Sequence, residues 1–168
     1  MLRILFVCHG NICRSPMAEF FMKDLVNREG RSGEFEIASA ATSDEECWNG
    51  IGNPVYPPAY EELKRHGIGT KENELGVRAK RARQMTRDDY AEWDYLIGMD
   101  AENLRGMKRI CGGDPEGKLS LLMDYTGHPR SVADPWYTRD FAAAWRDVSE
   151  GCRALYARLS ARQQNGIV

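Results

Sequence analysis

Val7-Cys8-His9-Gly10-Asn11-Ile12-Cys13-Arg14-Ser15-Pro16 joins two stretches of different character, and the fold is read outward from it. Upstream, Leu2-Arg3-Ile4-Leu5-Phe6-Val7 is an almost wholly apolar run, the pattern of a strand covered on both faces in a parallel sheet. Downstream, Ser15 is a favoured N-cap residue and Pro16 suits the first helical position, where its missing N–H costs nothing. Met17, Phe20, Phe21 and Leu25 then recur at helical spacing. The segment from Cys8 to Ser15 is therefore expected to be a tight strand-to-helix turn.

Such a turn has a chemical consequence. The first N–H groups of a helix lack partners within it and carry the positive end of its dipole, so an anion is stabilised there. Gly10 lets neighbouring amides converge into an anion-binding nest, and Arg14 offers a planar fork matched to two phosphate oxygens. Cys8, at the strand's end, would lie beneath that cradle, where positive surroundings favour the thiolate. The stretch reads as a sulfur nucleophile beside a bound phosphate. A bare Cys-x5-Arg spacing also occurs where the cysteine only fills a strand end and the arginine a helix surface. The strand before, the cap after, and Gly10 and Asn11 between distinguish this turn from that case. No Gly-Lys-Ser/Thr follows the glycine, which excludes a nucleotide-binding P-loop.

The 168 residues suffice for a single domain over 1–168 that buries about 70% of its unfolded surface. A net charge of −2 argues against nonspecific nucleic-acid binding, and no apolar run approaches the roughly 18 residues of a membrane span. Met1-Leu2-Arg3 leads into only five apolar residues, too few for a secretion signal. The five cysteines (Cys8, Cys13, Cys47, Cys111 and Cys152) make no complete disulfide set and show no paired short spacing for zinc. A reducing, cytoplasmic setting and a site with neither metal nor cofactor are the expectation.

Along the chain, a first helix is expected from Pro16 to about Asn27, ending before the turn-rich Gly30-Arg31-Ser32-Gly33. Phe35 to Ala38 alternates as a second strand, and Thr42 to Pro58 is a loop containing Trp48. A short helix spans Pro58 to His66 and closes at Gly67. Arg78, Lys80, Arg81, Arg83 and Arg87 read as a solvated basic face. Thr86 and Asp89 have capping-box spacing for a short helix to Trp93. Tyr95 to Met99 is a third strand, Asp100 caps a helix over Ala101 to Ile110, and Lys118 to Leu122 is a fourth strand. Met123 to Trp136 has no periodicity. Phe141, Trp145, Val148, Cys152, Leu155 and Leu159 line one face of a long helix, and Gln163 to Val168 are expected to fray. Strands alternating with helices imply an α/β fold: a four-stranded parallel sheet, doubly wound with helices on both faces, and the phosphate loop after its first strand.

A thiolate attacking phosphorus must expel an alkoxide or phenolate, and a carboxylic acid on a loop is the usual proton donor. Asp124, Asp134 and Asp140 are the candidates, and spacing does not choose among them. Asp134 has one physical advantage, since Pro135 disfavours the helical conformation before it and stiffens the backbone that presents its carboxyl.

Val7 to Glu19 closely resembles the signature of the low-molecular-weight protein tyrosine phosphatases. Ser39-Ala40-Ala41-Thr42-Ser43, Gly52-Asn53-Pro54, Lys64-Arg65-His66-Gly67-Ile68, Arg81-Ala82-Arg83-Gln84-Met85-Thr86, Met99-Asp100 and Asp134-Pro135-Trp136-Tyr137 resemble that family in its order. The resemblance implies Cys8 as nucleophile, Arg14 holding the phosphoryl oxygens and Asp134 as general acid. It also implies that the loop from His9 through Gly10, Asn11, Ile12 and Cys13 to Ser15 binds the phosphate. Asn11, Ser15, Ser39 and His66 would hydrogen-bond one another to hold that loop's shape. Trp48, Trp136 and Tyr137 would wall a crevice for a flat ring, and isoleucine at Ile12 resembles the tyrosine branch rather than the phosphoarginine branch. Cys13 would be able to close a reversible disulfide with the nucleophile. The implied partner is a phosphotyrosine protein, with inorganic phosphate and other oxyanions as inhibitors. The Gly69 to Val77 connection is longer than the family's pattern. A thioredoxin-linked arsenate reductase would need two further cysteines close together, and Cys111 and Cys152 lie far apart in sequence. A noncatalytic phosphate-binding module would not need all of Cys8, Arg14 and Asp134.

Overall fold

In the computed structural model, which describes residues 1–166, the apolar run forms β1 (Leu2–Cys8). Successive strand side chains point to opposite faces. Ile4, Phe6 and Cys8 accordingly join one core while Leu5 and Val7 join another, and all five are buried. The chain then turns into α1 (Arg14–Arg28) and returns as β2 (Phe35–Ala41), parallel to β1, with Leu2 opposite Phe35 and Cys8 opposite Ala41. β3 (Tyr95–Gly98) pairs with the other edge of β1, and β4 (Leu119–Leu121) lies beyond it, so the all-parallel order is β2-β1-β3-β4. Strand order therefore reverses about β1, and ligands of open parallel sheets bind beyond the carboxyl ends at such a switch point. Cys8 ends the strand at that point.

Helices cover both faces. α1, α2 (Pro57–Arg65) and the long α6 (Phe141–Gln164) pack together over the Ile4 and Phe6 face. α3 (Asp88–Glu92) and α4 (Ala101–Cys111) bring Trp93, Met107 and Cys111 to the Leu5 and Val7 face. Each large apolar side chain buried this way contributes about 1.5–3 kcal/mol. The expected α6 face is buried from Trp145 through Val148, Cys152 and Leu155 to Leu159, with Phe141 packed at its edge. Asp100 caps α4 in a reciprocal pair with Asn103, and Gly112 closes it at φ 76°. At the end of α2, Gly67 at φ 78° lets its own N–H reach Lys64 O and that of Ile68 reach Leu63 O, a glycine-dependent helix stop.

Several boundaries differ from the sequence reading. α1 begins at Arg14 with Cys13 at its N-cap, and no side chain caps it. Ser15 lies inside the first turn because its hydroxyl is taken up by Cys8 and Asn11. β2 extends past Ala38 through Ser39-Ala40-Ala41, whose small side chains are fully buried. The basic run is not wholly solvated. Arg78, Arg81 and Arg87 are exposed, whereas Lys80 is directed inward to Glu19 and Arg83 forks onto Asp89. The single-turn α5 (Pro135–Thr138) has no periodicity to betray it. The 69–77 connection is pinned to α1 by Asn73 Nδ2 donating to Asp24. α6 runs to Gln164, past the point where fraying was expected, and of that tail residues 167–168 lie outside the described residues. Among the described residues no helix is long and apolar enough to cross a membrane.

Candidate active site

The loop after β1 curls around the Cys8 sulfur. Asn11 adopts φ 61°, a left-handed conformation that asparagine tolerates better than most residues. That bend brings the Asn11 N–H to 3.3 Å from Cys8 Sγ and leaves Ser15 Oγ 3.0 Å from the same sulfur. Asn11 Nδ2 donates to Ser15 Oγ at 2.9 Å, so the serine's own proton is free to point at sulfur. The same Nδ2 donates to Ser39 Oγ at 2.8 Å, and Asn11 Oδ1 accepts the Arg83 N–H at 3.1 Å. Ser39 Oγ in turn donates to Glu19, whose carboxylate meets Lys23 at 2.7 Å and Lys80 at 3.3 Å. Lys80 also donates to the Ser39 carbonyl at 3.0 Å. Burial lowers the Lys80 pKa, against the opposing pull of Glu19.

The buried brace behind the loop is thus Asn11, Ser15, Ser39, Glu19 and Lys80. His66 does not belong to it. α2 places its ring flat on Trp145, 4.3 Å between centroids, with Nε2 at 3.1 Å from Glu62. Sequence reading missed Glu19 and Lys80, which the turn of α1 and a distant loop bring to β2. Glu19 and Lys80 are 61 residues apart, and no local spacing links them.

Arg14 is 3% exposed and leaves the first turn of α1 toward the carboxyl end of β3. Its Nη1 donates to Asp100 Oδ2 at 2.7 Å and to Val132 O at 3.3 Å, and its Nη2 to Asp134 Oδ2 at 3.2 Å. Burial works to lower the guanidinium pKa, but facing Cys8, Asp134 and Asp100 outweigh it and the net shift is upward. Asp134 caps α5, its Oδ1 accepting the Trp136 N–H at 3.0 Å. Burial, reinforced by Cys8 and Asp134, pushes the Cys13 thiol well up, and all five cysteines are free thiols.

These groups share a cleft of about 340 Å³. Cys8, His9, Gly10, Ile12, Cys13 and Arg14 of the loop line it, together with Asp134, Trp136 and Tyr137. Trp136 is braced by the Tyr56 ring 5.5 Å away and by the Arg139 guanidinium stacked over it. Glu45, Glu46, Asp100, Glu102 and Asn103 complete the lining and were not foreseen. Trp48 is absent from it. Its ring is 61% exposed and does not line the cleft, unlike the expected crevice wall. His9 faces the rim, 3.0 Å from Glu45. Cys111 and Cys152 are buried in cores on opposite faces of the sheet, which leaves no adjacent cysteine pair there for a redox relay.

The family model described as low molecular weight phosphotyrosine protein phosphatase matches residues 3–165. The chain belongs to that family. A low molecular weight protein-tyrosine-phosphatase of Bacillus subtilis, YfkJ, is 35% identical over 98% of this chain and 99% of its own. The low molecular weight phosphotyrosine protein phosphatase of Sus scrofa is 37% identical over 93% of this chain and 94% of its own. The crystal structure of YfkJ superposes with a TM-score of 0.84, covering 98% of this chain and 96% of that one. That of SP-PTP from Streptococcus pyogenes does so with 0.79 at 37% identity, covering 95% and 93%. The present phosphatase therefore carries this family's sheet order and its protein tyrosine phosphatase activity.

Proposed function

We propose that this phosphatase hydrolyses phosphotyrosine monoesters through a phosphocysteine intermediate on Cys8, with Asp134 as general acid and then base, and without a metal. In the first step the Cys8 thiolate forms the S–P bond while the P–O bond to the phenol breaks. Asp134 gives its proton to the departing oxygen. In the second step water attacks phosphorus, Asp134 takes a proton from that water, and sulfur leaves as thiolate with the Ser15 hydroxyl donating to it. Arg14 and the amides of the Cys8–Ser15 loop carry the equatorial phosphoryl oxygens. Fixed donors of this kind need little reorganisation as charge develops, which makes them effective.

The observation that carries this reading is the Arg14 side chain, which spans from the Cys8 loop to Asp134 at 3.2 Å in one cleft. Support for a phenolic ester comes from Ile12, Trp136 and Tyr137, which give that cleft apolar and aromatic surface. Inorganic phosphate and related oxyanions should compete for the loop. Cys13, a thiol in the same loop, serves as reserve partner for an oxidised Cys8, making peroxide inactivation reversible by added thiol.

The test is p-nitrophenyl phosphate turnover with no metal added. Cys8→Ser should have none. Asp134→Ala should lose about 10²–10⁴-fold. Undiminished turnover by Cys8→Ser would end the proposal.

A further inference from the structure

The segment from Thr126 to Ala133 has no helix or strand of its own, yet it leads directly into Asp134. Asp147, on the buried side of α6, reaches it with both carboxylate oxygens. Oδ2 accepts the N–H of Ala133, the residue directly before Asp134, at 3.1 Å, and Oδ1 meets Arg130 Nη2 at 2.5 Å. The Asp147 side chain is 13% exposed and Arg130 is 45% exposed. An ion pair with one partner so open contributes little to stability. What the contact does is fix a position. α6 is 24 residues long and packs against α1, so it offers a rigid base for a segment that lacks one. The Val132 N–H, bonded to Met99 O at 2.9 Å, adds a second attachment from the end of β3.

We propose that Asp147 is a positioning residue for this phosphatase, holding the Arg130–Ala133 segment so that the Asp134 carboxyl faces the leaving oxygen. The proposal rests on the reading of Asp134 as general acid. Displacing a catalytic group by about 1 Å costs up to about 10²-fold, and the loss falls on reactions that need the proton. An ester with a poor leaving group needs it. One whose leaving group departs readily as an anion does not.

The experiment compares kcat/KM for phenyl phosphate and 2,4-dinitrophenyl phosphate in wild type, Asp147→Ala, Asp147→Asn, Asp134→Asn and the double variant Asp134→Asn/Asp147→Ala. Asp147→Ala should lose about 10- to 100-fold on phenyl phosphate and less than about threefold on the activated ester. Asp147→Asn keeps an acceptor for the Ala133 N–H and should recover most of that loss. In the Asp134→Asn background Asp147→Ala should add nothing, since two residues acting through one step are not additive. Equal loss on both esters, no loss on either, or a further loss in the double variant would each overturn the proposal. If Asp134→Asn itself treats the two esters alike, the assignment of the acid fails. If it discriminates and Asp147→Ala does not, only the role of Asp147 fails.

Discussion

Asn11 is the residue on which the loop's shape converges. It holds a left-handed backbone, gives both protons of Nδ2 to Ser15 and Ser39, and accepts from Arg83 with its oxygen. Asn11→Gly keeps the backbone conformation accessible and removes only the side-chain bonds, leaving buried hydroxyls short of a partner at about 1–3 kcal/mol. Asn11→Ala adds the steric cost of a left-handed alanine, about 1–2 kcal/mol more. Denaturant midpoints should rank wild type above Asn11→Gly above Asn11→Ala, and kcat/KM should follow the same order. An Asn11→Ala protein as stable and active as wild type would show that the loop keeps its form by other means. Lys80→Met tests the far end of the same chain of contacts. Glu19 retains Lys23 at 2.7 Å, so the expected loss of stability is moderate, about 1–3 kcal/mol, accompanied by a fall in kcat/KM.

At the scale of elements, the 42–58 loop meets the chain after residue 80 through close backbone contacts. A Cβ on Gly52 would stand 1.8 Å from the Ala82 carbonyl oxygen. Close by, the Ala82 N–H donates to Asn53 O at 2.8 Å and the Asn53 N–H to Glu46 O at 2.8 Å, which ties the cleft-lining Glu46 to the chain after residue 80. Gly52→Ala should part those two segments, lowering stability by about 1–3 kcal/mol and raising KM for a phosphopeptide more than for p-nitrophenyl phosphate. A melting temperature and KM values equal to those of wild type would contradict the close approach. The sequence displays Gly52 but not its reason, because Ala82 is 30 residues away and contributes only backbone. The same limit explains what else was and was not legible. β1, α4 and α6 announce themselves by apolar runs, a cap or a face, and the Cys8–Ser15 turn by its residue types. Glu19 with Lys80, Arg14 with Asp100 and Asp147 with Ala133 are joined only by folding. Trp48 misled because an aromatic in a loop looks the same whether it points in or out.

For the molecule as a whole, the sheet divides two unequal cores. The smaller, around Leu5, Val7 and Met107, is flanked by carboxylates that folding keeps ionised. Burial works to raise the Asp89 pKa, but Arg83, the Thr86 N–H and the Trp93 indole outweigh it and lower it. Asp114 is lowered on balance in the same way, by Tyr90 and the amides of Lys118 and Leu119. A carboxyl with a depressed folded pKa adds stability that is complete above its unfolded pKa of about 3.9 and is lost as pH falls through the folded value. Acidification below about pH 3.9 should therefore weaken this side, with α3 and β4 losing hydrogen-exchange protection before α1 and α6. The stability gap between wild type and Asp89→Asn should narrow over the same range. Simultaneous loss of protection on both sides would count against this order.

Along β1 the odd and even positions serve different masters, and the reactive sulfur is among the even ones, with Ile4 and Phe6. Removing or adding one residue within Leu2–Val7 would swing Cys8 to the opposite side of the sheet, leaving Arg14 and Asp134 with nothing to attend. Two residues would restore the side but shift the pairing with Ala41. Any descendant of this chain can therefore vary the connections between its strands and helices, but must keep the parity of Leu2–Val7 ahead of the sulfur.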